Sequence, residues 1–299
     1  MYDCFRSNGL DASTTGESCR YGVLRTGECR FAAQNERAKR PKYCHSMRGQ
    51  ADYYLLLQPD YLSMRRDYHN WYSHRLGHQM ELLAFGHGGA PILVFPSSRG
   101  RFFEYENTGM VQALSGKIDA GNIQLFCVDS ADGESWYNRG LHPHDRVMRH
   151  GAYENYILYE VVPLIKGVNC AQQISTTGVS LGAYHALNFG LRHPDVTSRV
   201  VAMSGTFDMR PFMDGYYDQD FYFNNPVDYI PNMNDSWFLD HYHRMNIVMG
   251  VGDWDICLGE NFKMAEILGK KGIPHWLDVW TGGQQHDWPL WQRMAVKFF

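Results

Sequence analysis

Residues 174–186 read ISTTGVSLGAYHA, and Ser180 stands at their centre between Gly178 and Gly182. A serine hydroxyl is a poor nucleophile until a base removes its proton as it attacks, and it must also project into open space. A Gly-x-Ser-x-Gly turn between a strand and a helix meets the second need. It holds the serine in a strained backbone conformation that a side chain two residues before or after would block. Here the run ISTT reads as a strand and AYHALNFG as a helix, which is the setting the motif requires. The start of that helix also offers free N–H groups that favour developing negative charge.

Such a nucleophile needs a base, and the base needs an acid to orient it. His286 fits the first role, because HWLDVWTGGQQHDW (275–288) places it in a loop after the last strand and before the final helix. His185 lies on the helix after the elbow and is expected to point into packing, while His142, His144, His150 and His193 read as loop or helix-end residues. For the acid, NIVMGVGDWDICLGEN (246–261) offers Asp253 and Asp255. Asp255 is preferred, since the longer loop lets its carboxylate turn back toward the imidazole. Asp208, beyond VVAMSG (200–205), is a third candidate. Donors for an oxyanion are expected from the N–H of Leu181 and from the loop after PILVFP, where Ser98 is chosen over its neighbours Ser97 and Arg99. Arg99 itself reads as a solvated charge, with contact to a substrate carboxylate as the alternative. Trp136 and Tyr137 follow the strand IQLFCVD (123–129) and read either as pocket wall or as rim packing.

The elements that must position these groups alternate along the chain. HQMELLAF (78–85) and PILVFP (91–96) read as strands joined through GHGG as an antiparallel hairpin. A helix is expected over FFEYENTGMVQALSGK (102–117), and AYENYILYEVVPLI (152–165) has apolar residues at helical spacing. VVAMSG and NIVMGVG (246–252) are continuous apolar runs, the pattern of strands buried on both faces of a parallel sheet. NFKMAEILGKKG (261–272) reads as a helix with Gly272 past its end, HWLDVW (275–280) as a strand, and WPLWQRMAVKFF (288–299) as a closing helix. The rhythm is that of an α/β fold with an open, mostly parallel sheet and helices on both faces. One insertion after the sixth strand, residues 206–244, breaks it. It carries Phe212, Tyr216, Tyr217, Phe221, Tyr222 and Phe223, which read as a cap-like aromatic lid.

Composition narrows the classes. A net charge of -4 gives no electrostatic reason for a nucleic-acid partner, and no apolar run approaches a membrane span. Residues 1–63 differ from the rest: they hold RAKRPK (37–42) and Cys4, Cys19, Cys29 and Cys44, without a sustained period. They read as a basic leader, disordered or translated upstream of a start at Met47 or Met64, rather than as a binding arm or cysteine-bound module. Seven cysteines without CxxC spacing indicate neither a zinc site nor a disulfide framework, and no secretory signal is evident, so a cytoplasmic location is expected. The domain proper is expected over residues 64–299.

The order Ser180, Asp255, His286 is that of an α/β-hydrolase. From about Tyr68 onward the chain resembles the esterase family of that fold, which includes S-formylglutathione hydrolases, feruloyl and acetyl esterases, and the antigen 85 mycolyltransferases. The resemblance rests on PILVFPSSRGRFFEYEN, VDSADGESWYN, GVSLGAYHA, GDWDICLGEN and HDWPLW in that order. It implies a Ser180, Asp255, His286 triad, hydrolysis of a small-molecule or polymeric carboxylic ester, and no metal or organic cofactor. The chain departs from the family where Ser97-Ser98 stand in place of a frequent His-Gly, and where Leu-Gly-Ala replaces Met-Gly-Gly after the serine. An acyltransferase on the same triad and a non-catalytic binding protein on the same scaffold are the alternatives.

Overall fold

The structure is a computed structural model and describes residues 64–299. The leader expected over residues 1–63, with its four cysteines, lies outside the described residues. Eight strands build the sheet: β1 (Arg66–Ser73), β2 (His78–Phe85), β3 (Ala90–Phe95), β4 (Ile123–Val128), β5 (Ile174–Val179), β6 (Thr197–Met203), β7 (Asn246–Gly252) and β8 (His275–Trp280). Their order across the sheet is β1-β2-β4-β3-β5-β6-β7-β8. Strands β3 to β8 run parallel, whereas β2 runs antiparallel to both β1 and β4. The strands β4 and β5 are buried at every position, which explains why, Gln124 apart, they carry only apolar or small residues: helices cover both faces.

One expectation is corrected at the edge of the sheet. Strands β2 and β3 do not pair as a hairpin, because β4 inserts between them and takes β2 on one side and β3 on the other. On its other side β2 pairs with β1, a strand the sequence reading missed. Its residues RDYHNWYS show little apolar alternation because the inner face is mostly only half-buried and carries Asp67, His69 and Ser73, while the outer face carries Tyr68 and Tyr72. What secures β1 is distant in sequence: Trp71 Nε1 and Ser73 Oγ donate to the Glu160 carboxylate at 2.8 and 3.0 Å.

Four longer helices flank the sheet: α1 (Pro143–Tyr156), α2 (Leu181–Arg192), α3 (Leu258–Lys270) and α4 (Trp288–Phe298). The helix expected over 102–117 is broken into short pieces, Glu104–Asn107, Met110–Ala113 and Ser115–Asp119. Gly109, at φ 78°, makes the first break. The stretch 152–165 continues α1 through a π-helical turn at Ile157–Val161. Beneath α4 lies a core in which Leu290, Trp291, Met294 and Phe298 meet residues of the central strands such as Val94, Val179, Met203 and Val248.

The insertion between β6 and β7 holds a 3-10 turn (Arg210–Phe212) and short helices at Gln219–Tyr222, Pro226–Asn232 and Ser236–Tyr242. Its start is tied to α3, where Glu260 accepts from Thr206 Oγ1 and Phe207 N. Arg146 of α1, itself buried, donates to Phe212 O and Asp214. Of the insertion's aromatic residues, Phe221 lies in the core, Phe212 packs on Trp136, and the exposed Tyr217 donates to Asp228.

Candidate active site

The candidate groups gather at the carboxyl ends of the parallel strands, where open α/β sheets bind ligands. Ser180 follows β5 and caps α2 with φ 57° and ψ −121°. A non-glycine residue in this region is strained, at a cost of about 1–3 kcal/mol that the surroundings must offset. The flanking glycines show how they do so. A Cβ on Gly178 would lie 2.3 Å from the Gly182 carbonyl, and one on Gly182 would lie 2.3 Å from Pro96 O and 2.6 Å from Phe95 O. The turn is therefore pressed against itself and against the end of β3. Ser180 N donates to Met203 O at 3.0 Å, which fastens it to β6 as well.

His286 is delivered by the loop between β8 and α4. The Asp253 carboxylate gathers that loop by accepting from the N–H groups of Gly282, Gly283 and Gln284. Asp287 then caps α4 by accepting from Leu290 N. Between them His286 places Nδ1 2.8 Å from Asp255 Oδ1 and Nε2 3.0 Å from Ser180 Oγ. Trp291 packs edge-on against the imidazole, with ring centroids 4.9 Å apart.

Of the three carboxylates considered, Asp255 is the one on His286. Asp253 is spent on the loop backbone, and Asp208 pairs with Arg210 and Lys263. Burial pushes the Asp255 carboxyl upward, but hydrogen bonds from His286 and Cys257 N–H help to hold it below the usual carboxylate value. An ionised Asp255 requires Nδ1 to carry the hydrogen, so Nε2 is left to accept from the Ser180 hydroxyl. Ser204 and Trp291 are site residues that sequence reasoning missed. Ser204 sits at φ 51° just past β6 and accepts from Trp291 Nε1 at 2.8 Å. Its place at a strand end bordering the elbow was the available signal.

Leu181 opens α2, so its N–H has no intrahelical acceptor. In the loop after β3, Ser97 N donates to Glu104 and Arg99 N to Asp132, whereas among the described residues Ser98 N has no acceptor. Arg99 is exposed, and its guanidinium lies 4.7 Å from the Tyr137 ring centre. Trp136 corrects the pocket reading: it is fully buried between His150, Tyr184 and Phe212, so it is packing and not wall. Tyr137 remains half-buried beside the loop. His185 does point inward, but to a specific partner, the Asp132 carboxylate at 2.8 Å.

Among the described residues, two groups of side chains have ligand atoms close enough for a metal. In Asp255, Cys257 and His286 these atoms lie within 4.8 Å of one another, as they do in His144, Asp218 and Asp220. In the first group burial, with Asp255 nearby, pushes the Cys257 thiol up to about 12, which disfavours the thiolate a metal would need. In the second group His144 and Tyr216 already hydrogen-bond Asp218. Neither arrangement calls for a metal to explain it.

A serine hydroxyl, an imidazole and a carboxylate joined by hydrogen bonds at the strand ends of an eight-stranded, mostly parallel α/β sheet are the arrangement of the α/β-hydrolase class. The chain belongs, over residues 106–295, to the family described as "Putative esterase". Solved structures agree on the fold. A ferulic acid esterase superposes with a TM-score of 0.62 at 16% identity, covering 79% of this chain and 96% of that one. An S-formylglutathione hydrolase from Staphylococcus aureus gives 0.59 at 15% identity, over 78% and 94%. Another from Agrobacterium tumefaciens gives 0.61 at 13%, over 79% and 95%. No curated protein sequence matches the chain. Among the described residues no helix is long and apolar enough to cross a membrane.

Proposed function

We propose that this protein hydrolyses carboxylic esters by two-step acyl transfer on Ser180. The observation that supports this most is the continuous line of hydrogen bonds from Asp255 through His286 to Ser180. His286 Nε2 takes the hydroxyl proton as Ser180 Oγ attacks the ester carbonyl. Asp255 holds the imidazole in the tautomer that leaves Nε2 free and stabilises its charged form. The N–H groups of Leu181 and Ser98 hold the oxyanion, aided by the start of α2. Collapse of the tetrahedral intermediate breaks the C–O bond, and His286 returns the proton to the departing alcohol. Water, deprotonated by the same imidazole, then attacks the acyl-enzyme. A second collapse releases the acid and restores Ser180.

The catalytic domain in this reading is residues 64–299, so a chain beginning at Met64 is expected to keep the full chain's activity and melting temperature, and a large loss in either would overturn that boundary. The deciding experiment is hydrolysis of p-nitrophenyl acetate and butyrate by the wild type beside Ser180→Ala. A loss of about 10⁴-fold or more in kcat supports the reading. Equal rates, or none in either protein, overturn it and leave a binding protein on a hydrolase scaffold.

A further inference from the structure

The loop after β3 exposes one backbone donor and has the others engaged. Ser97 gives its N–H to Glu104 Oε2 at 2.7 Å and its hydroxyl to Glu104 Oε1 at 2.5 Å. Arg99 N donates to Asp132 Oδ2 at 3.1 Å, and Gly100 N to Ser97 O at 2.8 Å. Ser130 Oγ ties down the Gly100 carbonyl at 2.9 Å. Of the four N–H groups from Ser97 to Gly100, only that of Ser98 lacks an acceptor among the described residues. The two carboxylates thus bracket Ser98 from both sides.

Their surroundings show that the bracket is built in. Asp132 is fully buried, and a buried carboxylate must be matched by donors. Its other oxygen, Oδ1, meets the buried His185 Nε2 at 2.8 Å, with the imidazole stacked on Phe95 at the end of β3. Gly100 has no side chain to block Glu104: a Cβ there would lie 2.7 Å from Oε1. Arg99 adopts φ 55°, a left-handed conformation unusual for arginine, and its N–H bond to Asp132 holds it there. His185 lies on α2, the helix whose first N–H is that of Leu181. One rigid helix therefore carries one donor directly and governs the other through His185 and Asp132.

We infer that Asp132 and Glu104 are positioning residues for the Ser98 oxyanion donor, with His185 anchoring Asp132 to the helix of the nucleophile. The inference rests on the esterase reading above. It requires that loosening the clamp weaken binding of the tetrahedral state while leaving the ester's ground-state binding in place.

The test measures p-nitrophenyl butyrate kinetics per active site, titrated with a fluorophosphonate, for wild type, Asp132→Ala, Asp132→Asn and Glu104→Ala. A trifluoromethyl ketone, which forms a tetrahedral adduct with a nucleophilic serine, is measured beside them. In Asp132→Ala, kcat is expected to fall by about 30- to 300-fold, near the loss of one oxyanion donor. KM stays within about threefold, and Ki for the ketone rises by the same factor as kcat/KM falls. Asp132→Asn keeps an acceptor for Arg99 N and an amide for His185, so most of the activity returns. Glu104→Ala, at a half-buried position, supplies the same readout should Asp132→Ala fail to fold, with an expected loss of about tenfold. Variants that lose melting temperature but match wild type in kcat per titrated site and in Ki overturn the clamp alone. A wild type inert to both ester and fluorophosphonate overturns the esterase reading, and the clamp with it.

Discussion

The turn around Ser180 and the loop around Ser98 lie side by side at the ends of β5 and β3, yet they are held by opposite means. The turn is organised by backbone against backbone, with Gly178 on Gly182 and Gly182 on the carbonyls of Phe95 and Pro96. The loop is organised by side chains, with Glu104 on Ser97 and Asp132 on Arg99. Close-packed backbone leaves no room to adjust, so the turn tolerates almost no change. Side-chain carboxylates can be lengthened, neutralised or removed one at a time, so the loop is the part where rate can be tuned without losing the fold.

The comparison can be broken or sharpened by substitution. The largest effect is expected in Asp255→Asn, which separates the charge holding His286 from the packing of the turn. With the turn intact and the tautomer wrong, kcat for p-nitrophenyl butyrate should fall by about 10⁴-fold. The same variant carries a pH signature. Because the folded-state carboxyl of Asp255 is held low, its ionised form adds stability above the unfolded value of about 3.9 and loses it as pH falls through the folded value. Urea unfolding at pH 6 and pH 3 should therefore show wild type losing more stability on acidification than Asp255→Asn.

Next comes Gly182→Val, where the new Cβ collides with main-chain carbonyls that cannot turn aside. A loss of about 4 kcal/mol or more in denaturant unfolding is expected, with activity lost alongside stability. A folded, active Gly182→Val protein would dissolve the contrast between the two regions. On the loop side, Ser97→Ala removes the hydroxyl bond to Glu104 and keeps the backbone one. It should cost about 1 kcal/mol of stability and only a few-fold in kcat, read from the same unfolding and rate assays. The smallest effect is expected in Tyr137→Ala, which removes the ring beneath the Arg99 guanidinium. The stacking is worth about 0.5–1 kcal/mol, so KM should move by no more than about fivefold with the melting temperature nearly unchanged.

Much of this arrangement was legible beforehand because it is local. The Gly-x-Ser-x-Gly turn, the apolar runs of β6 and β7 and the placing of His286 before α4 each depend on residues within about ten positions of one another. The less legible parts join distant segments. Strand β1 is recognisable only with Glu160, which holds its Trp71 and Ser73 from the π-helical turn after α1. For Trp136 the sequence leaves pocket wall and rim packing open, and only the closure of His150, Tyr184 and Phe212 around it shows packing. The partner of the Ser204 hydroxyl, Trp291 Nε1, lies far along the chain.

By itself the sequence determined the chemistry on offer: a strained serine between two glycines, a histidine before the last helix, carboxylates after a buried parallel strand, and the order in which they occur. Local sterics and hydrophobic periodicity act over a few residues, and a single chain records them directly. Only the tertiary structure decided that β4 divides β2 from β3, that Asp255 rather than Asp253 or Asp208 meets His286, and that Asp132 and Glu104 bracket Ser98. Those choices turn on which buried polar group finds which partner. Burial makes an unpaired donor or carboxylate costly, but the partner is selected by how the strands and helices pack, and no run of neighbouring residues encodes it.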